Sequence, residues 1–180
     1  AASVVSIGIL YINAVLLILK PSWWLFCPDG VLTIKATSLF EIIDLRKSNM
    51  NFLSNTDVFG FICNSTRLKL LRLGYGEMPS KVDSMFWGMN VCEFVDMRNM
   101  GNSNLVNINN FIGECWALKR VYVGEKWITK TYSNVSNSFR NDYVLVGGNG
   151  TVFNSNYTDK TYAKIDKPGE PGYFTYKASN

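Results

Sequence analysis

The first nineteen residues, AASVVSIGILYINAVLLIL, carry no charge, and no other stretch narrows the folds open to this chain as much. As an α-helix the run would be about 28 Å long, close to the roughly 30 Å hydrocarbon thickness of a bilayer. Lys20 and Pro21 close it, and Trp23, Trp24 and Phe26 follow as an aromatic cluster of the kind found at membrane interfaces. The run therefore predicts a membrane anchor, with Ile7, Ile9, Leu10, Val15, Leu16 and Leu17 in the span and Trp23 and Trp24 fixing its depth. A signal peptide is not expected, because no basic segment precedes the run and no small-x-small site follows it. A buried strand is the competing reading, since Val4, Val5, Ile7, Ile9, Tyr11 and Ile12 favour β structure.

The rest of the chain limits chemistry more than shape. There is no histidine, which removes the commonest general base and the commonest metal ligand. Only 18% of residues are charged, below the usual quarter, which favours burial in a membrane or an assembly. Cys27, Cys63, Cys92 and Cys115 contain no CxxC pair. They are read either as two disulfides of open connectivity or as buried thiols. No catalytic motif, cofactor site or metal site is predicted. Gly147 to Gly150 lacks the order of a phosphate loop, and Asp142, Asp159, Asp166 and Glu170 lack EF-hand spacing. An enzyme is not expected.

After the Pro-Asp-Gly turn at 28–30, Val31 to Lys35 reads as a short strand. Ser38 to Lys47 reads as a helix, because Ser38 and Glu41 have capping-box spacing and Arg46 and Lys47 suit a helix C-terminus. Asn64 to Gly74 reads as a second helical unit. Between Arg46 and Lys81 lie six basic and two acidic residues, which accounts for the whole net charge of +4. Arg46, Lys47, Arg67, Lys69 and Arg72 are the candidate basic surface, facing either anionic headgroups or solvent past a leucine core. So local a charge does not call for nucleic acid. Met85, Phe86, Trp87 and Met89 form an aromatic and methionine patch expected in a core or a subunit interface.

The Asn-rich stretch 98–110 is the best boundary, dividing an anchor (1–26), a mixed helical and loop region (27–110) and a β-rich domain (111–180). In the last, strand-like runs such as KRVYV, DYVLV and GYFTYKA flank turns, predicting a small antiparallel sandwich or open barrel. The fold class expected is α+β. Asn-x-Ser/Thr acceptors for glycans occur at Asn64, Asn134, Asn149 and Asn156. They favour an extracellular β domain, whereas the basic segment after the span favours the cytoplasmic side.

GECWAL at 113–118, DYVLVGGNGTVF and TYAKI resemble the C-terminal β domain of the small accessory membrane proteins of coronaviruses. The resemblance implies a cytosolic β domain, dimers and idle glycan acceptors. That family has three spans, and here the charged EIIDLRKS stands where another would lie. The function expected from the residues is a non-enzymatic, membrane-anchored structural or interaction protein acting in assembly, as a virion component or a small subunit of a membrane complex. Its expected partners are the lipid bilayer and copies of itself or other subunits. The alternative is a soluble β-rich capsid or filament subunit whose apolar N-terminal segment is buried between copies.

Overall fold

A computed structural model describes residues 9–11, 24–26, 32–34, 40–50, 57–133 and 137–179. Its strands are short. In chain order they are β1 (Ile9–Tyr11), β2 (Trp24–Phe26), β3 (Leu32–Ile34), β4 (Ile42–Asp44), β5 (Asp57–Phe59) and β6 (Leu70–Arg72), then β7 (Gly76–Glu77), β8 (Lys81–Asp83), β9 (Phe94–Met97), β10 (Met100–Gly101), β11 (Arg120–Val123) and β12 (Phe174–Tyr176). β4, β6, β9, β11 and β12 form one parallel sheet, and β1 pairs parallel with the free side of β4.

The register identifies a solenoid. Ile43 lies beside Leu71, Leu71 beside Val95 and Val95 beside Val121, so each coil advances 28, 24 and then 26 residues. Coils of this length belong to the class in which each repeat buries its apolar side only against its neighbours. Smaller parallel ladders, β5 with β8 and β7 with β10, run along other sides of the same coils. The strands form because each reads in, out, in. Ile43 and Leu45, Leu71 and Leu73, Val95 and Met97, and Val121 and Val123 are buried, with a polar or aromatic residue between them facing out.

Four successive coils among the described residues each turn at two left-handed residues. Gly60, Ser84, Asn110 and Asn137 occupy the first position, with φ between 47° and 59°. Asn64, Gly88, Glu114 and Asn141 occupy the second, with φ between 52° and 72°. Asparagine tolerates this conformation better than most residues, which gives part of the asparagine content a structural role. Between the two turns of each coil sits a buried phenylalanine: Phe61, Phe86, Phe111 or Phe139. The rings of Phe86 and Phe111 lie 5.4 Å apart, and Phe139 meets Phe174 edge-on at 5.7 Å.

The last coil is closed by its own chain. Val146 N–H donates to Lys119 O, continuing the coil, and residues 147–172 then loop out before β12 returns to pair with β11. The outer side of β12 is covered in turn, since Phe174 N–H donates to Lys164 O and Asp166 N–H to Phe174 O. A sheet edge left bare would invite pairing with another chain. Asp166 holds the loop together by accepting from Asn149 N, Thr151 N, Thr151 Oγ1 and Gly172 N at 2.6–3.2 Å. Gly147 is required here, because a Cβ would collide with Gly172 O and the Asp166 carboxylate.

These findings overturn the α+β expectation. The predicted helix over 38–47 contains strand β4, and the predicted unit from Asn64 contains β6. In both, flanking parallel strands supply the backbone partners that a helix would find within itself, so tertiary pairing overrides local propensity. Among the described residues the one helical element is a 3-10 turn, Lys160–Tyr162, capped by Asp159. No helix of the described residues is long and apolar enough to cross a membrane. Within the predicted span, Ile9 and Leu10 belong to β1, and Trp24 begins β2, which pairs antiparallel with β3. Ile7, Val15, Leu16, Leu17 and Trp23 lie outside the described residues. The antiparallel C-terminal sandwich is also corrected, because β12 runs parallel to β11. Beyond residue 111 the antiparallel pairing among the described residues is confined to isolated bridges, Val146 with Val152 and Lys167 with Glu170. The Gly-Gly-Asn-Gly turn forms, and its flanking segments pair across it through Gly147 N–H to Thr151 O and Phe153 N–H to Leu145 O, while Val146 N–H reaches Lys119 O on the neighbouring coil.

Candidate functional site

The outward face of the main sheet carries charged residues arranged in rows along the solenoid. In the first row, Glu41, Lys69, Glu93 and Lys119 follow one another through backbone hydrogen bonds from each coil to the one before. Their signs alternate. Lys69 Nζ lies 3.1 Å from Glu41 Oε2, and Lys119 Nζ lies 2.7 Å from Glu93 Oε2. The Lys69 ammonium beside it, with Arg67 at 3.6 Å, holds the Glu41 carboxyl below its usual range.

In the second row, Asp44, Arg72, Asp96, Tyr122 and Thr175 are successive register partners. Arg46 grips both oxygens of Asp44, and Arg72 Nη1 adds a contact from the next coil at 3.1 Å. Burial works to raise the Asp44 pKa, but the hydrogen bonds from Arg46 and Arg72 outweigh it and the net shift is downward. Arg98 grips Asp96 in the same way. Ile42, Leu70 and Phe94 lie half-buried between the rows. Tyr122 ends the apolar strip, stacked on Phe94 at 6.4 Å with Lys177 Nζ 4.5 Å above its ring.

A different row runs along the corner where each coil enters the sheet. The turns Met89–Cys92, Cys115–Leu118 and Asp142–Leu145 are equivalent, each closed by a backbone bond of 2.9–3.0 Å. They present Val91, then Trp116, then Tyr143 and Val144 to solvent. Trp116 is 54% exposed and Tyr143 62%. Val152 is exposed nearby on the strand segment after the Gly-rich turn, and Phe153 meets the Tyr143 ring edge-on at 5.9 Å. Beneath this corner Asp142 is buried. Its Oδ1 accepts from Cys115 N at 2.9 Å, and its Oδ2 has no hydrogen-bond partner among the described residues. Burial pushes its carboxyl well above the usual range, and the Glu114 charge adds to the rise.

The structure redistributes the residues predicted from sequence. The basic group does not stand free, for Arg46 and Arg72 meet Asp44 while Arg67 and Lys69 meet Glu41. Lys47 is exposed. Met85, Phe86 and Met89 are fully buried among their own coils, so they are core and offer nothing to a neighbour. Trp87 is half-buried, its ring closing over Gly113. Cys63, Cys92 and Cys115 are thiols outside any disulfide, and Cys27 lies outside the described residues. Burial pushes Cys92 up to about 12 and Cys115 upward as well, so neither is poised as a nucleophile. Asn64, Asn149 and Asn156 are exposed, and Asn134 lies outside the described residues. No group of three or more His, Cys, Asp or Glu that could hold a metal occurs among the described residues.

Sequence reasoning missed the acids of the ladders, the clasp at Asp166 and the corner row. One signal was present: Asp-Leu-Arg at 44–46 and Asp-Met-Arg at 96–98 are the same clamp two coils apart. In comparisons with known proteins, no family model, no curated protein and no solved structure matches the chain.

Proposed function

We propose that this chain is a structural or interaction subunit that works by surface recognition, and that its contact is the corner row built on Trp116 and Tyr143. The observation supporting this reading is the contrast between two surfaces. On the sheet face, acids and bases of adjacent coils satisfy one another, leaving little charge for a partner. At the corner, a tryptophan, a tyrosine and two valines recur at equivalent turns without cover. Exposed Trp and Tyr supply large contact area at low entropic cost, and such residues dominate binding energy at protein interfaces.

The occupant proposed is a second copy. A row that repeats from coil to coil can meet its own copy about a two-fold axis, each Trp116 facing the other chain's row. Sedimentation velocity over a concentration series tests this. Wild-type protein should show concentration-dependent association by about 0.1 mM, lost when Trp116→Ser and Tyr143→Ser are combined. A wild-type chain that stays monomeric throughout, or a double variant that associates unchanged, refutes the proposal.

A further inference from the structure

The ladders on the sheet face set a standard for this protein: a lysine there has a carboxylate beside it. Three lysines break the pattern together. A cavity of about 230 Å³ lies between the segment following Trp127 and the C-terminal loop, lined by Thr129, Lys130, Thr131, Lys160, Thr161, Ala163 and Lys164. No Asp or Glu lines it, and none of the three lysines has an ion-pair partner among the described residues.

Two of the ammonium groups are held in place by backbone. Lys160 Nζ donates to Tyr132 O at 2.7 Å, and Lys130 Nζ donates to Ser103 O at 2.8 Å and approaches Asn102 O at 3.4 Å. An ammonium has three donors, so both keep unused donor capacity. Lys164 Nζ makes no hydrogen bond among the described residues. The two acids nearest along the chain are both engaged elsewhere: Asp159 accepts from Thr161 N and Thr161 Oγ1 at 2.8 and 2.6 Å, and Asp166 accepts from Asn149 N, Thr151 N, Thr151 Oγ1 and Gly172 N. With Asp159 and Asp166 both counted against the three lysines, the site still keeps an excess of one positive charge, and Thr129 and Thr131 line it beside them.

From this cluster we infer that the cavity binds a small oxyanion ester, a phosphate or sulfate carried on a compact polar group. Clustered cations, two of them held by backbone oxygens, suit a tetrahedral anion, because hydrogen bonds assisted by charge are about twice as strong as neutral ones. The volume lies below the roughly 300–1,000 Å³ typical of sites for drug-sized ligands, which favours a group of monosaccharide size.

Isothermal titration calorimetry on the full chain tests the site with glucose 6-phosphate, glucose 6-sulfate and glucose. Saturable binding of one or both esters without binding of glucose is expected, and the tighter ester identifies the anion. Lys164→Gln should weaken that binding about tenfold, and Lys164→Arg should keep it within about threefold. Lys164 anchors no backbone group, so thermal unfolding should be unchanged in both variants. The inference is overturned if neither ester binds saturably up to about 10 mM, if glucose binds equally well, or if Lys164→Gln binds like the parent.

Discussion

Arg98 clamps Asp96 through two parallel hydrogen bonds, Nε to Oδ1 at 3.0 Å and Nη2 to Oδ2 at 2.5 Å, repeating the Arg46–Asp44 clamp two coils earlier. The Asp96 and Arg98 side chains are 6% and 14% exposed, so the pair sits where water screens it little. Removing one partner leaves a nearly buried charge alone. Arg98→Ala should cost about 3 kcal/mol in urea unfolding, whereas Lys69→Gln, which breaks an exposed pair, should cost less than about 1 kcal/mol.

The phenylalanine column is the second measure of the fold. Phe111 is fully buried and contacts Phe86 on the preceding coil and Trp127, which follows β11. Phe111→Ala should cost about 3–5 kcal/mol through lost burial and the cavity left behind. Trp116→Ala, at the exposed corner, should change stability by no more than about 0.5 kcal/mol, and the same denaturation series compares the two.

Left-handed turns make a separate prediction. Asn137 has φ of 59°. Asn137→Gly should leave the thermal midpoint nearly unchanged, while Asn137→Val should cost about 1–2 kcal/mol, because a β-branched residue is poorly tolerated there.

Three buried carboxylates pull the pH dependence in opposite directions. Burial tends to raise Asp166, but its hydrogen bonds from Thr151, Asn149 and Gly172 prevail, and its folded pKa lies below the usual range, as does that of Asp44. Their stabilisation is full above the ordinary carboxylate pKa of about 4 and is lost as pH falls through the lowered folded values. Asp142 is raised by its burial, so its contribution is full below about 4 and fades as pH rises toward its folded value. Asp166→Asn should flatten the acid side of the stability profile and speed proteolysis within residues 147–172. Asp142→Asn should flatten the side above pH 4, and urea midpoints across pH report both.

Some of this architecture was visible in the residues. KRVYV carries its strand, and Gly147 to Gly150 turn where expected. The repeat was not visible, since its coils differ in length and its equivalent positions hold Leu71, Val95 and Val121 inside and Arg72, Asp96 and Tyr122 outside. Lys69 and Glu93 each read locally as surface charge, because their partners lie 28 and 26 residues away.

Residue chemistry determined which side chains prefer burial, where asparagine and glycine let the chain turn, and that no histidine chemistry operates. It favoured a helix for EIIDL, where strand β4 forms instead, and left open whether the basic segment would face a partner. Those choices fell to the tertiary structure, because a parallel strand completes its hydrogen bonds only on another coil. The same stacking brings Arg72 to Asp44 and leaves Trp116 and Tyr143 together at an uncovered corner.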